Sequence, residues 1–283
     1  MDNNNIKKKN NTVNVFMAVI AAAVICLLFF ILCIYLSGTR YIRINTADGG
    51  SVKYFGKVDS ENQLIKGKLY YSDGLTADVN GIDGIITYSN GDFYQGEIKD
   101  LGKSGEGTLQ YSNGDLYVGQ FQNNELSGHG RFTFSNGDIY EGDFVAGKKE
   151  GEGTYYWTDG STYVGSFAND RKNGHGKYTW SDGSIYDGEY VDDIKQGTGT
   201  FVFPNGDKYV GDFKDDVRTG HGVYTWANGE IYEGEFLNNK LHGEGKYTWP
   251  SGRVYTGYFE NGVIVRATET DGVEATTEDA VEA

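Results

Sequence analysis

The chain has 283 residues, a formal net charge of −15, and 42 glycines and 22 tyrosines against only two prolines. Such a mixture is not that of an average globular domain, so internal repeats have to be sought before individual motifs. The acidic balance argues against nucleic acid as a partner and against adhesion of the chain's surface to anionic lipid, both of which need basic clusters.

Residues 1–14 read as a polar N-terminal tail that carries Lys7, Lys8 and Lys9. The next 22 residues, 15–36 (VFMAVIAAAVICLLFFILCIYL), contain no charge. At 1.5 Å per residue they are long enough to cross a hydrocarbon core of about 30 Å. A cleavable signal peptide would have an apolar run of only about 7–15 residues followed by a small-residue cleavage site, and no A-x-A pattern follows Leu36. A single-pass transmembrane helix is therefore expected, with the membrane engaged through residues 15–36. Cys26 and Cys33 both fall inside it and read as small apolar side chains. Arg40 and Arg43 follow the segment, so the lysines leave a slight basic excess on the N-terminal side. The positive-inside tendency then favours a cytoplasmic N-terminus and an extracytoplasmic C-terminal region.

Residues 37–53 read as a linker. Beyond residue 37 the chain holds 22 basic and 39 acidic residues, a formal −17, so the helix and not the rest of the chain is expected to hold it at the membrane.

From Tyr94 the triplet tyrosine-any-glycine recurs at Tyr117, Tyr140, Tyr163, Tyr186, Tyr209, Tyr232 and Tyr255, a period of 23 residues. Each copy reads Y-x-G-x-[FYI], six variable residues, then G-x-G-x-[FYL]-x-[WYF]. Seven complete copies and a terminal half fill residues 94–262, and residues 54–93 carry degenerate copies, as the ends of a stacked array often do. Within a copy the period is two. In YVGQF (117–121) Tyr117, Gly119 and Phe121 share a face, and in GHGRFTF (128–134) Gly128, Gly130, Phe132 and Phe134 do so. Two short strands per copy are expected. The dipeptides Asn136-Gly137, Asp159-Gly160, Asp182-Gly183 and their equivalents are expected to form tight primed hairpin turns, and the segments such as 122–127 looser loops.

This pattern, YEGEF (232–236) followed by GEGKYTW (243–249), resembles the MORN-repeat family over roughly residues 54–262. The resemblance implies an all-β repeat array, an elongated single-layer antiparallel sheet of tandem β-hairpins, acting as a scaffold or binding surface; some members of the family are accessory to an enzymatic domain, and with no such domain visible in this sequence a non-enzymatic protein is expected.

Several residues could be mistaken for chemistry. His129, His175 and His221 occupy one register position in alternate copies, four strands or about 19 Å apart, too far to share a metal ion. Carboxylates such as Glu141, Asp143, Glu233 and Glu235 alternate along the polar side of first strands, where solvation explains them better than catalysis. No phosphate-binding loop, paired-cysteine, zinc-helix or nucleophile-elbow motif occurs, and no cofactor or metal site is expected. The aromatic residues Tyr140, Tyr163, Trp157, Trp180, Tyr186, Tyr209, Trp226, Tyr232 and Trp249 are the candidate binding face, since a one-layer sheet has no second layer to cover them. Residues 263–283 lose the pattern, hold six acids against Arg266, and read as a disordered acidic tail.

These features point to a membrane-anchored scaffold for a protein partner whose identity the sequence does not name. A competing reading is an extracytoplasmic module that binds cell-wall glycan or another polymer through its aromatic face. Free sheet edges also allow homo-oligomers.

Overall fold

The computed structural model describes residues 3–46 and 49–267. The chain divides into two units, 1–112 and 113–283.

The first unit opens with helix α1 (Asn3–Leu36). Its apolar part, Phe16–Leu36, has a mean hydropathy of 3.2 and is long and apolar enough to cross a membrane. The helix ends because Gly38 adopts φ +77° and donates from its amide to Tyr35 O at 3.2 Å, a left-handed stop that glycine accepts without strain. The Arg40 guanidinium then lies 4.0 Å over the Tyr35 ring and donates to Tyr35 O.

Seven strands follow: β1 (Thr39–Asn45), β2 (Ser51–Val58), β3 (Leu64–Tyr71), β4 (Thr76–Asn80), β5 (Ile85–Tyr88), β6 (Phe93–Lys99) and β7 (Gly102–Gln110). Each pairs antiparallel with the next. The expected linker at 37–53 is thus largely strand. Its Tyr41-Ile42-Arg43-Ile44 alternates with period two, and β1 pairs with β2 from Thr39↔Lys57 to Asn45↔Ser51.

The second unit is a meander of fourteen strands: β8 (Leu116–Gln122), β9 (Glu125–Thr133), β10 (Ile139–Val145), β11 (Lys148–Tyr156), β12 (Thr162–Ala168), β13 (Arg171–Thr179), β14 (Ile185–Val191), β15 (Ile194–Val202), β16 (Lys208–Lys214), β17 (Val217–Thr225), β18 (Ile231–Leu237), β19 (Lys240–Thr248), β20 (Val254–Glu260) and β21 (Val263–Ala267). All neighbours are antiparallel. The last strand is a correction to the expected tail. The β-branched Val263-Ile264-Val265 favours a pleated strand, and it pairs with β20 before the acidic stretch begins. Residues 268–283 lie outside the described residues.

The two kinds of turn are the reverse of the expectation. The tight connection joins the two strands of one copy. Asn169 (φ +49°) and Asp170 (φ +71°) link β12 to β13, and Asp192 (+49°) and Asp193 (+73°) link β14 to β15. Positive φ at both central residues is the primed two-residue hairpin, and Asn and Asp tolerate it better than other side chains. The Asn-Gly dipeptides instead sit in three-residue loops between copies. Gly137 donates to Phe134 O at 2.8 Å and Phe134 to Asp138 O at 2.9 Å; only Gly137 is left-handed, which is a type I turn closed by a glycine bulge.

A second bulge lies inside each hairpin. Pairing of β10 with β11 shifts between Gly142↔Gly153 and Phe144↔Lys149, with Gly151 at φ +66°. The first glycine of G-x-G is therefore a bulge residue, and the simple alternation read through Gly128 and Gly130 breaks there. The shift places Lys149 opposite Phe144, on the aromatic face.

The core is one row on that face. Tyr117, Tyr140, Tyr163, Tyr186, Tyr209 and Tyr232 are each completely buried. Tyr140 packs edge-on against Phe144 of its own strand and Phe167 of the next copy, at 5.2 and 5.1 Å between ring centroids. Its hydroxyl donates to Asp143 O at 3.1 Å, so the one polar atom of the ring is satisfied inside the layer.

Candidate binding face

The buried row removes five residues from the expected binding face. Tyr140, Tyr163, Tyr186, Tyr209 and Tyr232 have no accessible surface and hold the layer together. Trp157, Trp180, Trp226 and Trp249 are half-buried and stay on the surface.

The tryptophans are joined by a second set of rings that the sequence reading did not single out. Because β10 and β11 pair Tyr140 with Tyr155, Tyr155 and Trp157 two residues on share the aromatic face. Tyr155 lies 4.4 Å from Trp157, Trp157 4.9 Å from Tyr178, Tyr178 4.3 Å from Trp180 and Trp180 5.5 Å from Phe201. The chain of contacts starts at Phe132 and Phe134 and runs on through Phe203, Tyr224, Trp226 and Tyr247 to Trp249. The rings form one continuous ladder across the copies. The signal was the positions four and six residues after the first glycine of G-x-G, both aromatic in nearly every copy.

A column of cations lies under the ladder, again unread from the sequence although it keeps the 23-residue spacing. Lys149 Nζ is 5.6 Å from the Tyr140 ring, 5.1 Å from Tyr155 and 5.7 Å from Phe167. Lys172 and Lys195 repeat this among their own three rings, and Arg218 does so against Phe203, Tyr209 and Tyr224. Burial pushes the three ammonium groups below the ordinary lysine range, and Asp170, Asp193 and Asp216 pull them back. The same aspartates accept the backbone N–H of Lys149, Lys172 and Lys195 at 2.9–3.0 Å. The primed turn of one copy is thereby tied to the second strand of the copy before. Leu126 and Leu241 fill this register position at the ends of the column.

The loops between copies are linked as well. Asp138 accepts from Thr158 N at 3.0 Å and from the Tyr155 hydroxyl at 3.1 Å. Asp207 does the same with Ala227 N and Tyr224. Burial alone would raise these carboxyls, but the hydrogen bonds outweigh it and hold both below the usual carboxylate range.

The opposite face is polar and solvated. His129 contacts Asp143 at 3.3 Å with its side chain 66% exposed, and His175 lies between Asp187 and Glu189 at 3.0 and 3.2 Å. Among the described residues no group of three or more His, Cys, Asp or Glu is placed to hold a metal ion. Glu141 meets Arg131 at 3.8 Å, so the alternate carboxylates pair with cations on open surface where such pairs contribute little.

Two solved structures illustrate the general likeness. One is the TCP domain of SAS-4 (dCPAP) of Drosophila melanogaster, in complex with a proline-rich motif of Ana2 (dSTIL). It is 20% identical over 55% of this chain and 85% of that one, with a TM-score of 0.36. The other is the TCP10 domain of Danio rerio CPAP with a STIL peptide, 12% identical over 82% of this chain and all of that one, with a TM-score of 0.43. At these scores neither carries an argument about function. No curated protein matches the sequence. The MORN repeat model, in contrast, matches seven consecutive segments, 94–116, 117–139, 140–162, 163–185, 186–208, 209–231 and 232–252. These segments are the hairpin copies that build the ladder and its cation column, and they cover more than half of the chain, which belongs to the MORN-repeat family.

Proposed function

We infer that the chain is a non-enzymatic scaffold, anchored in a membrane by α1, whose repeats present the aromatic ladder to another polypeptide. The observation that carries this reading is the ladder itself. Its rings are contiguous and most of them, the four tryptophans included, keep part of their surface accessible, while Tyr224 and Tyr247 are buried beneath them. Packing within the second unit runs between strands adjacent in sequence, so among the described residues no further layer of that unit covers the strip. Contiguous exposed apolar area of this kind marks interaction sites, and Tyr and Trp are the side chains interfaces enrich.

Photo-crosslinking in native membranes tests it. A photoreactive phenylalanine replacing Trp180 is expected to give discrete protein adducts, and the same residue replacing Glu141 on the polar face none. Equal labelling from both positions, or adducts with lipid alone from position 180, would remove the ladder as the working face.

A further inference from the structure

We propose that the ladder takes a proline-rich segment of another protein in the polyproline II conformation, lying across the strands with one turn of its helix per repeat. The proposal rests on the reading of the ladder as a polypeptide-binding face and names the class of polypeptide.

The first ground is a match of periods. Two strands per copy advance about 9.6 Å, and three residues of polyproline II advance about 9.3 Å. After four copies the two are out of step by only about 1.2 Å. A segment with proline at every third position would meet the same outer ring, from Phe134 through Trp157, Trp180, Phe203 and Trp226 to Trp249, at each turn. An extended strand advances a similar distance in three residues but turns opposite faces to successive copies, because its side chains alternate with period two, and two turns of α-helix advance about 10.8 Å.

The second ground is hydrogen bonding. None of the four indole N–H groups, on Trp157, Trp180, Trp226 and Trp249, donates to any described residue, although their rings sit in the ladder. Polyproline II makes no internal hydrogen bonds, so its carbonyls are free to accept, and tryptophan offers a donor at the edge of an apolar ring. Trp157 and Trp180 stand one copy apart, as do Trp226 and Trp249, which sets two pairs of donors at the helical repeat of the segment.

Ring orientation separates this occupant from a glycan. Adjacent ladder rings are tilted by 32° to 55° and lean on one another. The surface is ridged, with ring faces partly taken by neighbouring rings, and lacks the flat free platforms on which a pyranose stacks. Ridges suit the alternating bulk of pyrrolidine rings.

The segment has an identifiable end. At the Ala146-Gly147 turn the usual Asn or Asp side chain is missing and Leu126 replaces the cation. A concavity of about 240 Å³ opens there beside Phe132, Phe134, Phe144 and Lys149. Its apolar walls fit one bulky side chain flanking the proline run. The segment does not come from this chain, whose two prolines, Pro204 and Pro250, lie far apart. With a formal −15 on the chain, basic flanks are favoured through long-range attraction.

The test uses the full chain in detergent micelles and its own tryptophan emission, since all four tryptophans of the protein lie on the ladder. One probe is an arginine-flanked peptide of about 15 residues, roughly five turns of polyproline II, with proline at every third position and leucine at one end. A second has alanine in place of every proline, and a third is a chitin oligosaccharide. The proline peptide should give a saturable emission change, with the alanine peptide at least about tenfold weaker. Trp180→Phe keeps a ring that Phe134 and Phe203 already supply in other copies but removes one indole donor. It should weaken binding by roughly three- to tenfold without changing the unfolding midpoint. Equal binding of the two peptides would overturn the polyproline assignment and leave the scaffold reading standing. Saturation by the oligosaccharide with neither peptide bound would overturn both. If no probe binds, the polyproline assignment falls, and the crosslinking outcome alone then decides the scaffold reading.

Discussion

A Cβ on Gly153 would stand 2.5 Å from Tyr140 Oη and 2.6 Å from Cε2 of the same ring. The phenol of one strand lies flat over the glycine of the next, and the repeat exists because that place is kept empty. Gly153→Ala must displace a fully buried tyrosine and is expected to lower stability by about 3 kcal/mol, at the upper end for overpacked cores. Gly160→Ala is the control. There the backbone has φ +91° with nothing within 4 Å, so only the left-handed strain of about 1–2 kcal/mol applies. Denaturant titration of the two variants should separate them, and equal losses would mean that the ring does not depend on the gap.

The primed turns give a second contrast. Asp192 and Asp193 are both left-handed, but only Asp193 accepts a backbone bond, from Lys172 N at 2.9 Å. Asp192→Gly relieves strain and should stabilise by up to about 1 kcal/mol, whereas Asp193→Gly loses an inter-copy hydrogen bond and should cost about 1 kcal/mol. Thermal melts with opposite signs would confirm the assignment of the turns.

Alkaline pH should unfold the array steeply. Burial raises Tyr140, Tyr163, Tyr186, Tyr209 and Tyr232 above the ordinary tyrosine value, and Tyr94 and Tyr224 up to about 12. A group whose folded value is raised contributes stability that is complete below its unfolded value near 10 and is lost as pH rises above it. Each such tyrosine removes up to about 1.4 kcal/mol per pH unit above that point. Tyrosinate absorbance should therefore rise cooperatively together with loss of the strand signal. Asp138 and Asp207 act in the opposite direction: held low in the fold, they contribute stability above about pH 4 that disappears as pH falls further.

What could be read from the sequence follows from what repeats. Tyr140, Gly142 and Gly153 recur at every 23 residues because each copy needs the same ring and the same gap, and the hairpin array was legible from them. The turns were not legible, because an Asn-Gly pair suits two loop geometries and the choice depends on the strand register set by the bulge at Gly151. The burial of Tyr140 is not legible in the repeat, because the spacing shows which face a ring takes but not what covers it. That cover is Phe144, Phe167 and Lys149, and Lys149 joins the aromatic face only through the bulge. Residues 39–45 lack the tyrosine-any-glycine mark, so the strand there does not stand out from a linker in the sequence.

Topology can be checked on intact cells. With Lys7, Lys8 and Lys9 before the apolar part of α1, Phe16–Leu36, and only Arg40 and Arg43 close behind it, the repeats are expected outside the cytoplasm. Protease added to intact cells should remove a tag placed after Ala283, with lysed cells as the control. Protection until lysis would put the array at the inner membrane face.

The central claim is that the ladder is a working surface more than a core, and the double variant Trp180→Ala, Trp226→Ala tests it most directly. Both side chains are half-buried, so the fold should survive with a loss of a few kcal/mol at most, while retention of protein partners from the membrane fraction should be abolished. An unfolded double variant would show the ladder to be core, and a folded one that still retains the same partners would show that the binding surface lies elsewhere.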